Sequence, residues 1–181
     1  MYNTNTYLGP SFSQKNRIYR VFWSIAYLFL FRYSPKPLHS WRSFILRLFG
    51  AKIGNCVHVY PKVEIWAPWN LVIGDETGIA NGVTLYSQGK INIGKRVVIS
   101  QGAHLCTGTH NYNNKGFPLI TKPITIEDNV WIAAEVFVHP GILIAEGAVI
   151  GARSVVTKNI APWMVCAGFP CVELKKRVIE L

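Results

Sequence analysis

Acidic residues are missing from the first third of the chain, where no Asp or Glu precedes Glu64. The whole sequence has 19 basic and 9 acidic residues and a formal net charge of +10. The basic residues before position 64 are Lys15, Arg17, Arg20, Arg32, Lys36, Arg42, Arg47, Lys52 and Lys62. The rest of the chain is therefore close to neutral. Nucleic acid, an anionic membrane surface and an anionic glycan precursor are the partners that suit such a segment.

A regular cysteine pattern is also missing. Cys56, Cys106, Cys166 and Cys171 contain no CxxC and show no regular spacing. Disulfide frameworks and thiolate metal sites have recurrent spacings, so we interpret these residues as small buried side chains in a reducing compartment.

No long hydrophobic run is present. The apolar stretch 21–31 is too short to cross a bilayer of about 30 Å, and no small-residue cleavage site follows it. We therefore expect a cytoplasmic protein, and the inner face of the membrane is an alternative position.

A six-residue repeat is what the sequence does contain. Its first places are Ile53, Val59, Ile65, Ile73, Ile79, Leu85, Ile93, Ile99, Leu105, Ile126, Ile132, Val138, Ile144, Ile150 and Val156. Three hexapeptides form one triangular turn of short parallel strands, with the aliphatic first places stacked on the axis. The repeat predicts an all-β core of about five coils over 53–161, and an inserted loop at 111–125 in the third coil.

The flanking segments have different patterns. We expect 1–52 to hold a loose arm (1–13), a helix over 14–32, and a second helix that Ser34 caps, Pro35 opens and Gly50 ends. The first helix is apolar on more than one side, so it either packs against the coils and a neighbouring subunit or lies on a membrane surface. In 162–181 we expect a turn and then a short basic helix from Val172 that covers the last coil.

Where the repeat breaks, the chain resembles the hexapeptide-repeat O-acetyltransferases. The matching stretches are TGTH (107–110), IEDNVWI (126–132), IGARSVVTK (150–158) and AGFPC (167–171), which are similar to galactoside and maltose acetyltransferases. SPKPL (34–38) and LRLFGAKIG (46–54) are more similar to the colanic-acid-type enzymes. The resemblance implies a left-handed parallel β-helix, a homotrimer with sites between subunits, acetyl-CoA as donor and no metal. It also implies a saccharide acceptor, in exopolysaccharide or surface polysaccharide synthesis.

The resemblance also suggests site residues. His110 matches the general base, and a neutral imidazole can take the proton of a sugar hydroxyl as it attacks a thioester. Asn81 matches an acceptor-binding asparagine. The positions that match coenzyme A contacts are Trp131, Ala134, Ala152, Thr157 and Lys158, and Lys175 could meet phosphates together with Lys158. The oxyanion donor would lie near Ala134, and Val172 stands where the family often has Arg.

Other functions stay open at this point. Some proteins with this repeat are carbonic anhydrases with zinc between subunits, for which His104, His110 and His139 are the candidate ligands. The same coils also occur in antibiotic acetyltransferases. A non-catalytic scaffold or nucleic-acid binder would use the basic N-terminal segment, but no aromatic–basic motif supports nucleic acid as a partner. Cys106 lies four residues before His110, and we interpret it as structural because it occupies a small second place of its hexapeptide.

Overall fold

The protein is a parallel β-helix of triangular cross-section, closed by two helices at its N-terminal end and by a hairpin at its C-terminal end. The computed structural model describes residues 6–7 and 9–179. Five coils are complete, and two sides of a sixth follow.

The strands form three faces. The first face consists of β1 (Lys52–Ile53), β4 (Leu71–Ile73), β7 (Ile91–Ile93), β12 (Ile124–Ile126) and β15 (Leu143–Ile144). The second consists of β2 (His58–Val59), β5 (Gly78–Ile79), β8 (Val98–Ile99), β13 (Trp131–Ile132), β16 (Val149–Ile150), β18 (Met164–Gly168) and β19 (Cys171–Lys176). The third consists of β3 (Glu64–Ile65), β6 (Thr84–Tyr86), β9 (His104–Cys106), β14 (Phe137–Val138) and β17 (Val155–Val156). We call the turn from the second face to the third the second edge, and the turn from the third face to the first the third edge.

The strand register confirms the predicted stacking of first places. On the first face Ile73 pairs with Ile53 and Ile93, and equivalent pairs continue on the other faces. Every predicted first place except the half-buried Ile53 is at most 7% exposed. Burying one such side chain stabilises the fold by about 1.5–3 kcal/mol, so the axial column is the main core. The repeat extends beyond the predicted boundary at 161, because β18 (Met164–Gly168) pairs in parallel with β16.

The N-terminal helices agree with the prediction in number. Helix α1 (Gln14–Ala26) continues as a π-helical turn (Tyr27–Phe31), which confirms the helix expected over 14–32. Helix α2 (His39–Leu48) begins later than predicted, and Ser34 and Pro35 lie before it. The buried guanidinium of Arg42 donates to the Ser34 hydroxyl and the Pro35 carbonyl, so segment 34–38 wraps around Arg42. Because these residues are held in this way, they do not form the predicted first turn of the helix.

The two helices cap the open end of the first coil. In a parallel stack the first coil has carbonyls that point away from the second coil, and these need donors. Trp23 Nε1 donates to the Ile65 carbonyl at 2.7 Å, and Arg42 Nε donates to the Val59 carbonyl at 2.6 Å. Arg47 donates to the Ile53 carbonyl at 3.0 and 3.1 Å. At least one side chain therefore caps each face, and His39 Nδ1 also lies 3.0 Å from the Val59 carbonyl oxygen.

The C-terminal helix predicted from Val172 is wrong. Residues 171–176 form β19, which runs antiparallel to β18 at the end of the second face. The backbone groups of β18 would otherwise be an open sheet edge, and pairing with a returning strand satisfies them more completely than a helix would. The β18–β19 hairpin thus covers the last coil, as we expected the helix to do.

The insertion in the third coil is a hairpin rather than a loop. Strands β10 (Gly108–His110) and β11 (Leu119–Thr121) pair antiparallel, and the coil resumes at Ile124, inside the predicted loop 111–125. Of the predicted loose arm, residues 1–5 and 8 lie outside the described residues. Thr6 is attached, since its backbone N–H donates to the Gly116 carbonyl at 3.0 Å.

Candidate active site

His110 lies at the end of β10, where the inserted hairpin leaves the third edge. Its Nδ1 is 2.9 Å from the Phe117 carbonyl oxygen, and its ring stacks on the Phe117 ring with centroids 4.3 Å apart. A carbonyl can only accept, so Nδ1 carries the hydrogen and, in the neutral ring, Nε2 keeps its lone pair. This tautomer leaves Nε2 able to take a proton.

Phe117 is a residue of this candidate site that sequence reasoning missed. Its φ is 44°, in the left-handed region that is unusual for a residue with a large side chain. Its carbonyl also accepts from the Thr6 hydroxyl at 2.7 Å, and Tyr7 stacks against its ring. The Phe117 carbonyl therefore accepts from both the Thr6 hydroxyl and His110 Nδ1, and the bond from Thr6 fixes the carbonyl that orients His110. A backbone carbonyl has no sequence signal, and nothing in the N-terminal arm indicated that it reaches this hairpin.

A cleft of about 300 Å³ lies beside His110. It is bounded by the inserted hairpin and by the end of the third face. Its lining residues are Thr109, His110, Asn111, Tyr112, Asn113, Ile120, Lys122, His139 and Pro140. The lining is mostly polar, which suits a hydroxylated ligand better than an apolar one.

Three of the predicted site residues lie at the second edge. Asn81, Ala134 and Ala152 each follow the first place of a second-face hexapeptide by two residues, so the register stacks them along one line. The backbone N–H of Arg153 donates to the Ala134 carbonyl at 2.9 Å along this line. Asn81 Oδ1 accepts from the backbone N–H of Lys62 at 3.1 Å, so the side chain has a turn-stabilising role whatever else it binds.

Two more predicted residues lie on the second face. Trp131 is 47% exposed, pairs with Val98 and Val149 in neighbouring coils, and donates from Nε1 to Ser100 Oγ at 3.1 Å. Lys175 is exposed on β19 at the C-terminal end of this face.

Thr157 and Lys158 belong to the third edge, the same edge as His110. They follow β17 directly and are exposed. The predicted site residues thus form two groups in one chain. His110, Thr157 and Lys158 are at the third edge, whereas Asn81, Trp131, Ala134, Ala152 and Lys175 are at the second edge or on the second face, and the third face separates them.

Cys106 has the environment of a structural thiol. It is half-buried, its Sγ donates to the Gly108 carbonyl at 3.3 Å, and burial raises its pKa. A raised pKa lowers the thiolate fraction, which opposes a nucleophilic role. All four cysteines are free, and the prediction that each is buried holds for Cys166 and Cys171 but not for the half-buried Cys106 or the exposed Cys56.

The three histidines of the zinc hypothesis do not form a metal site within one chain. Among residues 6–7 and 9–179, no three His, Cys, Asp or Glu side chains are arranged to hold a metal ion. His104 instead lies between Tyr86 and Phe137 on the third face, stacked on the Phe137 ring and tilted against the Tyr86 ring. In the same part of the chain, no helix has both the length and the apolar character that a bilayer crossing requires.

Comparison with known proteins agrees with this fold and repeat. Residues 123–158 match the family model "Bacterial transferase hexapeptide (six repeats)". The chain is 46% identical over 149 residues to the "Putative colanic acid biosynthesis acetyltransferase WcaF" of Escherichia coli K12, an alignment that covers 82% of each chain. It is 35% identical over 140 residues to galactoside O-acetyltransferase of Escherichia coli K12, which covers 76% of this chain and 68% of the relative.

The chain belongs to the hexapeptide-repeat acetyltransferases. The fold of this acetyltransferase superposes on a hexapeptide-repeat acetyltransferase from Vibrio cholerae solved with acetyl-CoA, with a TM-score of 0.84, 26% identity and coverage of 92% and 91%. Galactoside acetyltransferase solved with coenzyme A gives a TM-score of 0.81 at 26% identity, with coverage of 91% and 83%.

Proposed function

We propose that this acetyltransferase moves an acetyl group from acetyl-CoA to a hydroxyl of a saccharide that serves surface polysaccharide synthesis, with His110 as general base. The observation that supports this most directly is the Nδ1–H···O=C bond from His110 to Phe117, which leaves Nε2 as the acceptor beside a polar cleft. The acetyl donor is proposed from the relatives solved with acetyl-CoA or coenzyme A. The acceptor is proposed from relatives named for colanic acid and for a galactoside.

The reaction needs no covalent enzyme intermediate. The sugar oxygen attacks the thioester carbon while His110 Nε2 takes its proton, and the resulting oxyanion accepts from a backbone N–H near Ala134. Collapse of the tetrahedral intermediate breaks the carbon–sulfur bond and forms the sugar ester. The proton on His110 then neutralises the departing thiolate of coenzyme A.

We further propose that the working unit is a cyclic homotrimer. His110 and Ala134 lie at different edges of one chain, so a single chain does not bring the base and the oxyanion donor together. Setting the third edge of one chain beside the second edge of the next would do so, and it would turn the third face toward the axis. That face suits burial, because Trp66, Tyr86, His104 and Phe137 form a column of rings with successive centroids 6.4, 6.1 and 5.0 Å apart. Contact of helix 14–32 with a membrane is a separate proposal, since the helices lie outside this site.

The test is release of free coenzyme A from acetyl-CoA, measured across a panel of free, nucleotide-linked and lipid-linked saccharides. We expect release that depends on one acceptor class, and a product whose mass increases by one acetyl group. The His110→Ala variant measured in parallel corrects for spontaneous hydrolysis. Acetyl-CoA binding without acetylation of any saccharide, or acetylation of an amine alone, would contradict the proposed acceptor.

A further inference from the structure

The outer sides of the two N-terminal helices form one apolar surface, which we call the helical platform. It consists of Ile18, Val21, Phe22, Ile25, Phe29, Leu30, Trp41, Phe44 and Leu48, each at least 40% exposed. Phe29 is 72% exposed and Leu48 is 71% exposed. Large apolar side chains of these types are usually buried. An exposed apolar surface of this extent marks a contact with a partner or with lipid.

The platform is continuous across both helices. At one end Trp41 Nε1 of α2 donates to the Leu30 carbonyl at 2.9 Å, and Trp41 packs beside Phe44 with ring centroids 6.0 Å apart. At the other end Phe22 and Leu48 line the same cavity of about 710 Å³ between the two helices. Because helix 14–32 is joined in this way to α2, the surface is wider than the apolar side of one helix.

The platform points away from the coils. The opposite sides of the same helices carry Trp23, Arg42 and Arg47, which cap the carbonyls of the first coil. The apolar side chains therefore lie beyond the N-terminal end of the solenoid, whereas His110 belongs to the third coil. In the proposed cyclic trimer the three platforms lie at the same end, and a flat surface could contact all of them together.

Cations accompany the apolar side chains, and neither helix carries an acidic residue; Glu64 of the first coil lines a cavity with Arg20 and Arg32. Arg17 and Arg20 line a groove of about 470 Å³ with Val21, Ile25 and Phe29. Lys15, Arg32 and Lys36 are exposed on the same two helices or the segment between them, and no acidic residue precedes Glu64. A second copy of the platform would bring like charges together, whereas an anionic partner would complement them.

We propose that the helical platform docks on the surface of an anionic lipid bilayer. The Phe, Leu and Trp side chains would enter the boundary between headgroups and acyl chains, and Arg17, Arg32 and Lys36 would meet lipid phosphates. The combination favours a bilayer over nucleic acid, because nucleic acid would use the cations and leave the apolar side chains in water. This proposal does not depend on the identity of the acceptor.

Sedimentation of the whole protein with vesicles tests the platform. The probes are vesicles of phosphatidylcholine alone and of phosphatidylcholine with roughly one third phosphatidylglycerol, each at low and high salt. We expect binding to the anionic vesicles that weakens as salt rises, and little binding to the neutral ones. Equal recovery with both kinds of vesicle, or none with either, would overturn the proposal.

Matched variants separate the apolar contribution to vesicle binding from the electrostatic one. Phe29→Ser and Phe44→Ser should each weaken binding to anionic vesicles by at least about tenfold, the scale for one inserted aromatic side chain. Val178→Ser removes an apolar side chain that is 82% exposed outside the platform, and it should change nothing. Arg17→Gln should weaken binding by about fivefold, the effect of about one basic residue at a charged surface, while Lys90→Gln should not.

Two further readouts identify a competing occupant. Light scattering gives the mass of the assembly, and loss of subunits in Phe29→Ser or Phe44→Ser would mean that another copy of the chain covers the platform. A gel-shift assay with mixed nucleic acid is the other readout. Retardation that Arg17→Gln abolishes and Phe29→Ser leaves unchanged would assign the charges to nucleic acid. Either result would overturn docking on lipid.

Discussion

His110 shows how one backbone contact can set the chemistry of a side chain. The Phe117 carbonyl 2.9 Å from Nδ1 selects the tautomer, and the stacked Phe117 ring fixes the plane of the imidazole. We predict that His110→Ala lowers turnover by about two to four orders of magnitude, the range for a lost general base, while acetyl-CoA affinity changes little. Steady-state kinetics and titration calorimetry with acetyl-CoA measure the two quantities.

His139 gives a matched control, because it lines the same cleft without the contact to Phe117. His139→Ala should reduce turnover far less than His110→Ala does. If the two variants were equally impaired, the histidines would act together, and a single general base would be the wrong description.

His104 illustrates a different effect, on stability rather than catalysis. Burial lowers the pKa of His104, and Glu64 opposes this shift only in part. The unfolded chain therefore takes up a proton near pH 6.5, its ordinary pKa, while the folded chain does not, so stability falls as pH drops through that value. We predict that His104→Phe, which keeps a ring between Tyr86 and Phe137, loses less stability between about pH 7.5 and about pH 5 than the wild type.

Urea unfolding at the two pH values measures this difference. Because burial also lowers the pKa of His39, some acid sensitivity should remain in the His104 variant. An unchanged slope in that variant would assign the acid sensitivity to other groups.

At the scale of elements, Arg42 joins the helices to the coils. Its side chain is fully buried and donates to the carbonyls of Val59, Pro35 and Lys36 and to the hydroxyl of Ser34. We predict that Arg42→Met destabilises the fold by about 3 kcal/mol or more, because the buried Val59 carbonyl and three partly buried acceptors lose the same donor at once. Thermal and urea unfolding measure the loss.

Arg47→Met is the matched comparison, because it removes a capping arginine that is exposed rather than buried. Arg47 caps the Ile53 and Gly54 carbonyls of the same coil but is exposed, so water can replace it. We expect a loss below about 1 kcal/mol for this variant. Similar losses in the two variants would mean that the buried network of Arg42 has no special importance.

Sequence patterns predicted the elements that repeat and missed those that depend on a single contact. The spacing of Ile73, Ile93 and Ile126 defines the coils, because each position meets its equivalent one coil away. The start of α2 could not be predicted in this way, since the wrapping of Ser34 and Pro35 around Arg42 is a tertiary effect. The strand at 171–176 was missed for the same reason, since pairing with β18 outweighs local preference.

The same distinction applies to the site. His110 was indicated by its position at the break of the repeat and by the surrounding motif. Its partner Phe117 acts through a backbone carbonyl, which leaves no mark on residue type. The contact from Thr6 to that carbonyl joins residues 111 positions apart, and no local pattern predicts such a distance.

For the whole molecule, the separation of the two residue groups makes a quantitative prediction about assembly. Suppose that His110 of one chain faces Trp131 of the next, and that His110→Ala and Trp131→Ala are each inactive alone. Refolded together in equal amounts, they form rings in which a site works only when His110 comes from the Trp131 variant and Trp131 from the His110 variant. Random mixing makes that about one site in four, so about a quarter of wild-type activity should return.

A second mixture distinguishes sharing between chains from a site within one chain. When the double variant His110→Ala/Trp131→Ala is refolded with an equal amount of wild type, a shared site again works about one time in four. A site built within one chain would work about one time in two, because every wild-type chain would bring both residues. In that case the two single variants would also fail to rescue each other, although native mass measurements showed mixed trimers. The pair of mixtures thus tests whether His110 and Trp131 of each working site come from different chains.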